Sequence, residues 1–257
     1  MSVSRGEFLK SLGKSLPGMV LNSGITSAAQ KILGKMAAAS GASEAPTAPA
    51  APTTASVESP KLEFINSGPV AGNRVALTFD DGPTPGVTHR ILDELKRRNL
   101  HATFFMIGQR IAAEPDLARR VLAEGHDVGN HTFTHPKLPS LDDEQAHAEI
   151  QKTADIMLEA LDHRAVWFRP PFGALRPDQF QLVQKHGLRP VMGRVSPSDW
   201  AQPGEDKIIA RILTDTQPGS IIICHDVFEQ TANSIGPVLD GLLEHGFAPV
   251  TLTALVV

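Results

Sequence analysis

The sequence predicts an α/β protein built as a distorted barrel of alternating strands and helices. Short apolar runs alternate with longer segments of helical periodicity over residues 61–257. Most of the apolar runs are continuous, which is typical of parallel strands that are covered on both faces. Six or seven such units fit a (β/α) barrel better than an open sheet. Polar clusters follow the strands, at the rim where barrel sites are built.

The predicted strands are mostly short runs of apolar and β-branched residues. The clearest is 220–224 (SIIIC), which contains three consecutive isoleucines. In chain order the predicted strands are 74–79, 102–107, 126–129, 166–169, 188–192, 220–224 and 249–252.

Between the strands, apolar residues recur at helical spacing. The first such segment places Val87, Ile91, Leu92 and Leu95 on one helical face. The predicted helices are 87–98, 116–124, 142–161, 177–186, 206–216 and 233–245. No strand is followed by a glycine-rich phosphate loop, so a nucleotide-binding fold is not indicated.

The first sixty residues differ from the rest in composition. They contain five basic and three acidic residues, and all ten histidines lie after them. Residues 42–60 are almost entirely Ala, Pro, Thr and Ser, a composition that cannot bury enough apolar surface to offset its ordering entropy. We therefore expect a leader over 1–40, a linker over 41–66 and a globular domain over 67–257.

The leader is similar to an export signal, although a degenerate one. Residues 4–10 (SRGEFLK) match a twin-arginine pattern with Gly6 in place of the second arginine. Pro17 and Gly18 interrupt the apolar segment that such a signal needs, so a basic amphipathic leader is the alternative. We predict a location in the cell envelope or outside the cell, with the cytoplasm as the alternative. Membrane contact is expected only through this leader.

Composition also excludes some functions. The net charge of −4 argues against a nucleic-acid partner, because such proteins usually carry a basic face. The single cysteine, Cys224, excludes an intrachain disulfide and a cysteine-based zinc site. We expect Cys224 and Trp167 to pack in the core, His126 to be structural, and the protein to be a monomer.

Two polar clusters indicate a metal site with a neighbouring base. Asp80 and Asp81 follow the first strand and point in different directions, so one can ligate a metal while the other accepts a proton. An ordinary Asp-Gly-Pro turn is the alternative. His131 and His135 can converge on one ion if their segment makes a helical turn. Two imidazoles and one carboxylate leave positions open for water and substrate.

Two further residues follow apolar strands. Arg169 needs a partner for its charge, either in a site or in a structural ion pair. His225 ends a fully apolar strand, where it can serve as a general acid.

Together these residues resemble the polysaccharide deacetylase family, also called the NodB homology domain or carbohydrate esterase family 4. The resemblance implies a distorted (β/α)7 barrel that removes N-acetyl groups from an N-acetylglucosamine-type polysaccharide, such as peptidoglycan or chitin. It spans roughly residues 72–257. The motifs that carry it, in the family's order, are TFDDGP (78–83), HTFTH (131–135), RPPFG (169–173), DW (199–200) and a strand ending in HD (225–226).

The resemblance assigns a role to each polar residue. It implies that Asp81, His131 and His135 hold one divalent ion, usually zinc, with cobalt or nickel also possible. It implies that Asp80 is the catalytic base and His225 the catalytic acid.

The remaining roles concern the surroundings of this centre. Arg169 is implied to orient the base, with Asp199 as its partner. The backbone N–H of Phe172 is implied to bind the oxyanion. We interpret Trp200 as lining a sugar groove, with a cap on the barrel as the alternative. Ser196 stands where the family often has an acid, which puts in doubt the tuning of Arg169 or the groove shape.

Two alternatives remain at this point. One is a deacylase of another substrate, such as acetylxylan or a small cyclic amide. The other is a catalytically silent sugar-binding domain, which the complete set of catalytic residue types disfavours.

Overall fold

The structure, a computed structural model, describes residues 63–257. The predicted leader and residues 41–62 of the predicted linker lie outside the described residues. Seven parallel strands form one curled sheet, which confirms the predicted distorted (β/α)7 barrel. Within the described part of the chain, no helix combines the length and the apolarity needed to cross a bilayer.

The strands are β1 (Arg74–Asp80), β2 (Thr103–Met106), β3 (Asp127–Asn130), β4 (Trp167–Phe168), β5 (Arg189–Pro190), β6 (Ile221–His225) and β7 (Ala248–Val250). Strand β1 pairs along one edge with β6 and along the other with β2 and β7. Across the sheet the order is β5-β4-β3-β2-β1-β6. Single bridges also join Ile65 to Val191, next to β5, and Val195 to Ile222 on β6.

The α-helices among residues 63–257 are α1 (Val87–Arg97), α2 (Gly108–Ala113), α3 (Pro115–Ala123), α4 (Asp143–Leu161), α5 (Pro177–Lys185), α6 (Glu205–Asp215), α7 (Glu229–Glu244) and α8 (Leu252–Val256). All six predicted helices are among them, and the two short α-helices α2 and α8 were not predicted. Helix α8 begins at Leu252, where the sequence predicted the end of a strand. Helix α7 begins four residues earlier than predicted.

The chain contacts the domain before residue 67, where the sequence analysis placed its start. The amide of Ile65 donates to the carbonyl of Pro190 at 3.0 Å, and its carbonyl accepts from the amide of Met192 at 2.9 Å. The ring of Phe64 lies 4.8 Å from that of Phe180. Residues 64–66, assigned from the sequence to the linker, therefore belong with the edge of the sheet.

The core lies between the sheet and its helices. The rings of Phe79 on β1 and Phe104 on β2 stack at 5.0 Å. Cys224 and Trp167 are buried, as expected from the sequence. His126 is also buried, and its Nδ1 accepts from the amide of Ala102, which confirms a structural role.

The strand register aligns the carboxyl ends that carry polar residues. Asp80 at the end of β1 pairs with His225 at the end of β6. Asn130 at the end of β3 pairs with Phe168 at the end of β4. The residues that follow these strands therefore meet at one rim of the barrel.

Removing Phe104 tests the core. We expect Phe104→Ala to lower the free energy of unfolding by about 3–5 kcal/mol, because a fully buried ring leaves a cavity. Phe172→Ala is the matched control, since that ring is largely exposed, and it should cost less than about 1 kcal/mol. Denaturant unfolding measures both, and equal losses would contradict the assignment of Phe104 to the core.

Candidate active site

A cavity of about 590 Å³ opens at the rim where the polar residues meet. Eight of the nine residues singled out from the sequence line it, and the ninth, Asp199, is buried behind its wall. The eight are Asp80, Asp81, His131, His135, Arg169, Phe172, Trp200 and His225. The cavity is also lined by Ser196, Met192 and Ile223. Met192 and Ile223 were not predicted from the sequence as part of the site.

Three side chains form a cluster that suits a metal ion. Asp81 Oδ1 lies 3.3 Å from His131 Nε2 and 3.2 Å from His135 Nε2. The three ligand atoms all lie within 4.8 Å of one another. Asp81 Oδ1 is buried and has no hydrogen-bond partner among residues 63–257. An acceptor buried without a donor is costly, so this donor set fits a divalent cation.

The electrostatics of the cluster agree with this fit. Burial raises the pKa of Asp81, but the two imidazoles lower it more, and the net result lies well below the usual range. His131 Nδ1 lies 2.6 Å from the carbonyl oxygen of Arg169. A carbonyl accepts only, so Nδ1 carries the proton and Nε2 keeps its lone pair for a metal.

The two histidines converge through a bent loop and not through a helical turn. Thr132 and His135 both adopt positive φ, at 66° and 61°. The amide of Thr132 donates to Asn130 Oδ1 at 2.9 Å, and the amide of His135 donates to Thr132 Oγ1 at 3.2 Å. The helical turn considered from the sequence is therefore wrong, although the two histidines do lie close together.

Glu149 on α4 holds the same loop, and the sequence analysis missed it. Its Oε2 accepts from the amides of Phe133 and Thr134 at 2.9 and 2.7 Å. Its Oε1 accepts from the Thr134 hydroxyl at 2.8 Å. The motif around His131 does not include Glu149, because Glu149 lies 15 residues after Thr134 in the chain.

Arg169 pairs with Asp80 in a buried ion pair. Its Nη1 donates to Asp80 Oδ1 and to Thr78 Oγ1, both at 2.7 Å. Its Nη2 donates to the carbonyl of Met192 at 3.3 Å, and the guanidinium lies 4.1 Å from the centre of the Phe105 ring. With so many contacts, the guanidinium can hold the Asp80 carboxylate in one orientation towards the cavity.

Asp199 does not pair with Arg169, and that prediction from the family resemblance is wrong. Its Oδ1 lies 2.8 Å from His225 Nδ1, while its Oδ2 accepts from the His225 amide at 2.7 Å and from the Thr231 hydroxyl at 2.8 Å. The segment that carries Asp199 lies against β6, so the carboxylate reaches the histidine instead.

This contact changes the acidity of His225. Burial lowers the pKa of His225, but the hydrogen bond to Asp199 and the surrounding carboxylates raise it more, to about 9. With Nδ1 bound to Asp199, the other ring nitrogen is available on the cavity side, and the imidazolium is the form present at neutral pH.

Two exposed aromatic rings stand at the mouth of the cavity. Phe172 is 67% exposed and Trp200 is 61% exposed. Phe172 adopts a positive φ of 58°, and its ring lies 4.9 Å from that of His135. Ser196 also lines the cavity, and its hydroxyl oxygen accepts from the Ser198 amide at 3.4 Å. Ser196 therefore contributes to the shape of the groove.

Comparisons with known sequences identify similar proteins. Residues 67–191 match the family model described as polysaccharide deacetylase. The chain is 37% identical over 188 residues to a chitooligosaccharide deacetylase of Rhizobium leguminosarum bv. trifolii, covering 68% of this chain and 87% of that protein. It is 35% identical over 181 residues to the peptidoglycan-N-acetylmuramic acid deacetylase PdaC of Bacillus subtilis, covering 70% of this chain and 38% of that longer protein.

Solved structures of deacetylases are also similar to this chain. The structure of Bacillus subtilis PdaC matches with a TM-score of 0.69 and 33% identity, over 73% of this chain and 91% of that one. A peptidoglycan N-acetylglucosamine deacetylase matches with a TM-score of 0.73 and 31% identity, over 75% of this chain and 92% of that one.

The contact between Asp199 and His225 can be tested by titration. We expect Asp199→Asn to lower the pKa of His225 from about 9 to about 6.5 or less, because the remaining effect of burial lowers it. NMR of the histidine ring measures this pKa. Thr231→Val is the control, since it removes a neighbour of Asp199 but keeps the carboxylate. An unchanged titration in Asp199→Asn would contradict the assignment.

The metal cluster can be tested by binding. We expect about one zinc ion per chain. His135→Ala should weaken zinc binding by at least about 100-fold, beyond the 10–100-fold typical of residues that only support a ligand. Chelator competition on the metal-free protein measures the affinity, and His245→Ala serves as the exposed control. Absence of stoichiometric metal after zinc supplementation would contradict the cluster as a metal site.

Proposed function

Because the chain belongs to the polysaccharide deacetylase family, we propose that it is a hydrolase that removes N-acetyl groups from an N-acetylglucosamine-type glycan. One observation carries the proposal: a metal-ligand cluster, a carboxylate and an imidazolium face the same cavity. An N-acetyl amide is a poor electrophile with a poor leaving group. Its hydrolysis therefore needs activation of water, stabilisation of the oxyanion and a proton for the amine.

Asp81, His131 and His135 would hold the metal ion. When bound, a divalent ion polarises the acetyl carbonyl and lowers the pKa of a coordinated water. Two imidazoles and one carboxylate are ligands of the kind that zinc prefers, and cobalt or nickel would also be accepted.

Asp80 would act as the general base. It lines the same cavity as Asp81, His131 and His135, and Arg169 holds its carboxylate through a hydrogen bond of 2.7 Å. A base held in one position loses little entropy on taking the proton of the attacking water.

His225 would act as the general acid. Its raised pKa keeps it protonated at neutral pH, so a proton is available for the departing amine. Asp199 holds the ring from the side opposite the cavity and stabilises the imidazolium before the transfer. The base and the acid thus come from strands that are neighbours in the sheet, with Asp80 and His225 in register.

The backbone N–H of Phe172 would help to bind the oxyanion, a contribution on the order of 3 kcal/mol per donor in acyl-transfer sites. Trp200 would stack on a sugar ring at the mouth of the cavity, since its ring is exposed there. Both aromatic rings line the cavity and are largely exposed, which suits contact with a chain of sugars.

The relatives named as chitooligosaccharide and peptidoglycan deacetylases support a glycan of this kind as the partner. We propose a location in the cell envelope or outside the cell, where such a polymer is found. The leader over 1–40 and the linker ahead of the domain would hold it there.

The assigned roles predict which substitutions abolish activity. Asp80→Asn and His225→Ala should each lower the rate of acetate release by about 10²–10⁴-fold, the usual contribution of a general base or acid. Asp215→Asn and His245→Ala change the same residue types at exposed positions and should retain the wild-type rate. Circular dichroism checks the fold of each variant. Retained activity in both site variants would remove these roles.

The substrate class is tested by a panel of acetylated glycans. Chitin oligomers, peptidoglycan, acetylxylan and a small cyclic amide are incubated with the zinc-loaded protein, and mass spectrometry follows the products. We expect loss of acetyl groups from the chitin oligomers or from peptidoglycan. Turnover of acetylxylan or the cyclic amide alone would favour another deacylase. Glycan binding without turnover would favour a silent sugar-binding domain.

A further inference from the structure

Asp226 is a buried carboxyl group that none of the roles above uses. It follows His225 at the end of β6 and is 1% exposed. It forms no salt bridge with any Lys, Arg or His among residues 63–257. Burial raises its pKa to about 7, against the hydrogen bonds that it accepts. No neighbouring cation offsets the cost of burying this group.

The carboxyl group lies directly against the backbone that follows Asp81. Asp226 Oδ1 accepts from the amide of Gly82 at 2.8 Å. A Cβ atom added at Gly82 would lie only 1.9 Å from Asp226 Oδ2. Only glycine therefore allows the backbone to approach this carboxyl group so closely.

The hydrogen bond from Gly82 lies next to a residue with an uncommon backbone conformation. Asp81 has a positive φ of 79°, which is unfavourable for a residue with a side chain. Its own amide donates to the carbonyl of Phe105 at 3.2 Å, and the carbonyl of Gly82 accepts from the amide of Ile107 at 3.1 Å. Among these contacts, Asp226 supplies the one that comes from a side chain.

The second oxygen of Asp226 anchors it to α1. Asp226 Oδ2 accepts from the Thr88 hydroxyl at 2.6 Å, and the same hydroxyl oxygen accepts from the amide of Thr84 at 2.7 Å. The amide of Asp226 donates to the carbonyl of Asp80 at 3.1 Å. The carboxyl group is thus held between β1, β6 and the start of α1, and it cannot move without moving the loop after β1.

We propose that Asp226 is a positioning residue that holds Asp81 in the conformation that presents its carboxylate to His131 and His135. The inference rests on the proposed metal site. It assigns a function to the second residue of the His-Asp pair at the end of β6, and it explains why Gly82 follows the ligand. The effect of Asp226 reaches the metal through the backbone, so it should appear in metal affinity as well as in catalysis.

Zinc affinity of the metal-free full-length protein tests this role. Asp226→Ala removes both acceptor oxygens and should weaken zinc binding by about 10–100-fold, the range for residues that orient a metal ligand. Asp226→Asn keeps a side-chain oxygen for the Gly82 amide and should bind zinc within a few-fold of wild type. If Asp226→Ala fails to fold, Asp226→Leu fills the same volume without acceptors and replaces it.

A core variant separates positioning from general loss of stability. Ile212→Ala on α6 removes a fully buried side chain away from the cavity and lowers stability by creating a void. It should bind zinc as tightly as wild type at temperatures well below its melting temperature. Chelator competition gives the affinities, and thermal unfolding of the metal-free variants gives their stabilities.

The outcomes distinguish this inference from the metal site itself. Wild-type zinc affinity in Asp226→Ala would overturn the positioning role and leave the metal site intact. An equal loss of affinity in Ile212→Ala, or no recovery in Asp226→Asn, would also overturn it. If the wild-type protein binds no zinc, the proposed metal site fails, and the inference fails with it.

Discussion

The buried ion pair between Arg169 and Asp80 is the contact on which the rest of the site depends. The guanidinium of Arg169 donates to Asp80 Oδ1 at 2.7 Å. The backbone carbonyl oxygen of Arg169 lies 2.6 Å from His131 Nδ1. One residue after β4 therefore orients both the proposed base and one proposed metal ligand. Removing one partner of such a buried pair typically costs 3–5 kcal/mol, because the other charge is left uncompensated. Thr78 and the carbonyl of Met192 satisfy further donors of the guanidinium, so Arg169 can be almost fully buried.

Three further aspartates lie in the site or contact residues at the same rim, and each has a different environment. Asp81 faces two imidazoles, which hold its pKa well below the usual range despite burial. Asp199 faces His225 and contributes to raising the pKa of that ring to about 9, so the ring is an imidazolium at neutral pH. Within residues 63–257, Asp226 accepts from a backbone amide and a hydroxyl, and burial raises its pKa to about 7. The same side chain thus suits a metal ligand, a partner of a histidine or an acceptor for a loop amide, according to the groups that it contacts.

The sequence was most informative where the local signal was strong. The isoleucine-rich run of β6 and the run before Asp80 predicted buried strands, and both strands are largely buried and pair with each other. Strands β4 and β5 have only two residues each, because the sheet curls there and few residues stay in register, so their predicted lengths were too great. Helix α2 was missed because six residues that begin with glycine carry little periodicity. The segment from His131 to His135 is a bent loop and not the helical turn considered from the sequence. Glu149 holds this loop in part, but no sequence motif near it indicates that role.

The amino-acid sequence by itself determined the fold class, the family and the set of side chains at the rim, because strand ends and motif order are local properties of the chain. Only the tertiary structure decided the partners. Asp199 contacts His225 and not Arg169, and Asp226 accepts a hydrogen bond from the Gly82 amide; the sequence could not show these pairings, because they join segments that are far apart in the chain. Hydrogen bonds act over about 3 Å, so which carboxylate meets which donor depends on how the segments pack. The motifs predict which residues form the site, and the packing of the barrel determines which of them contact one another.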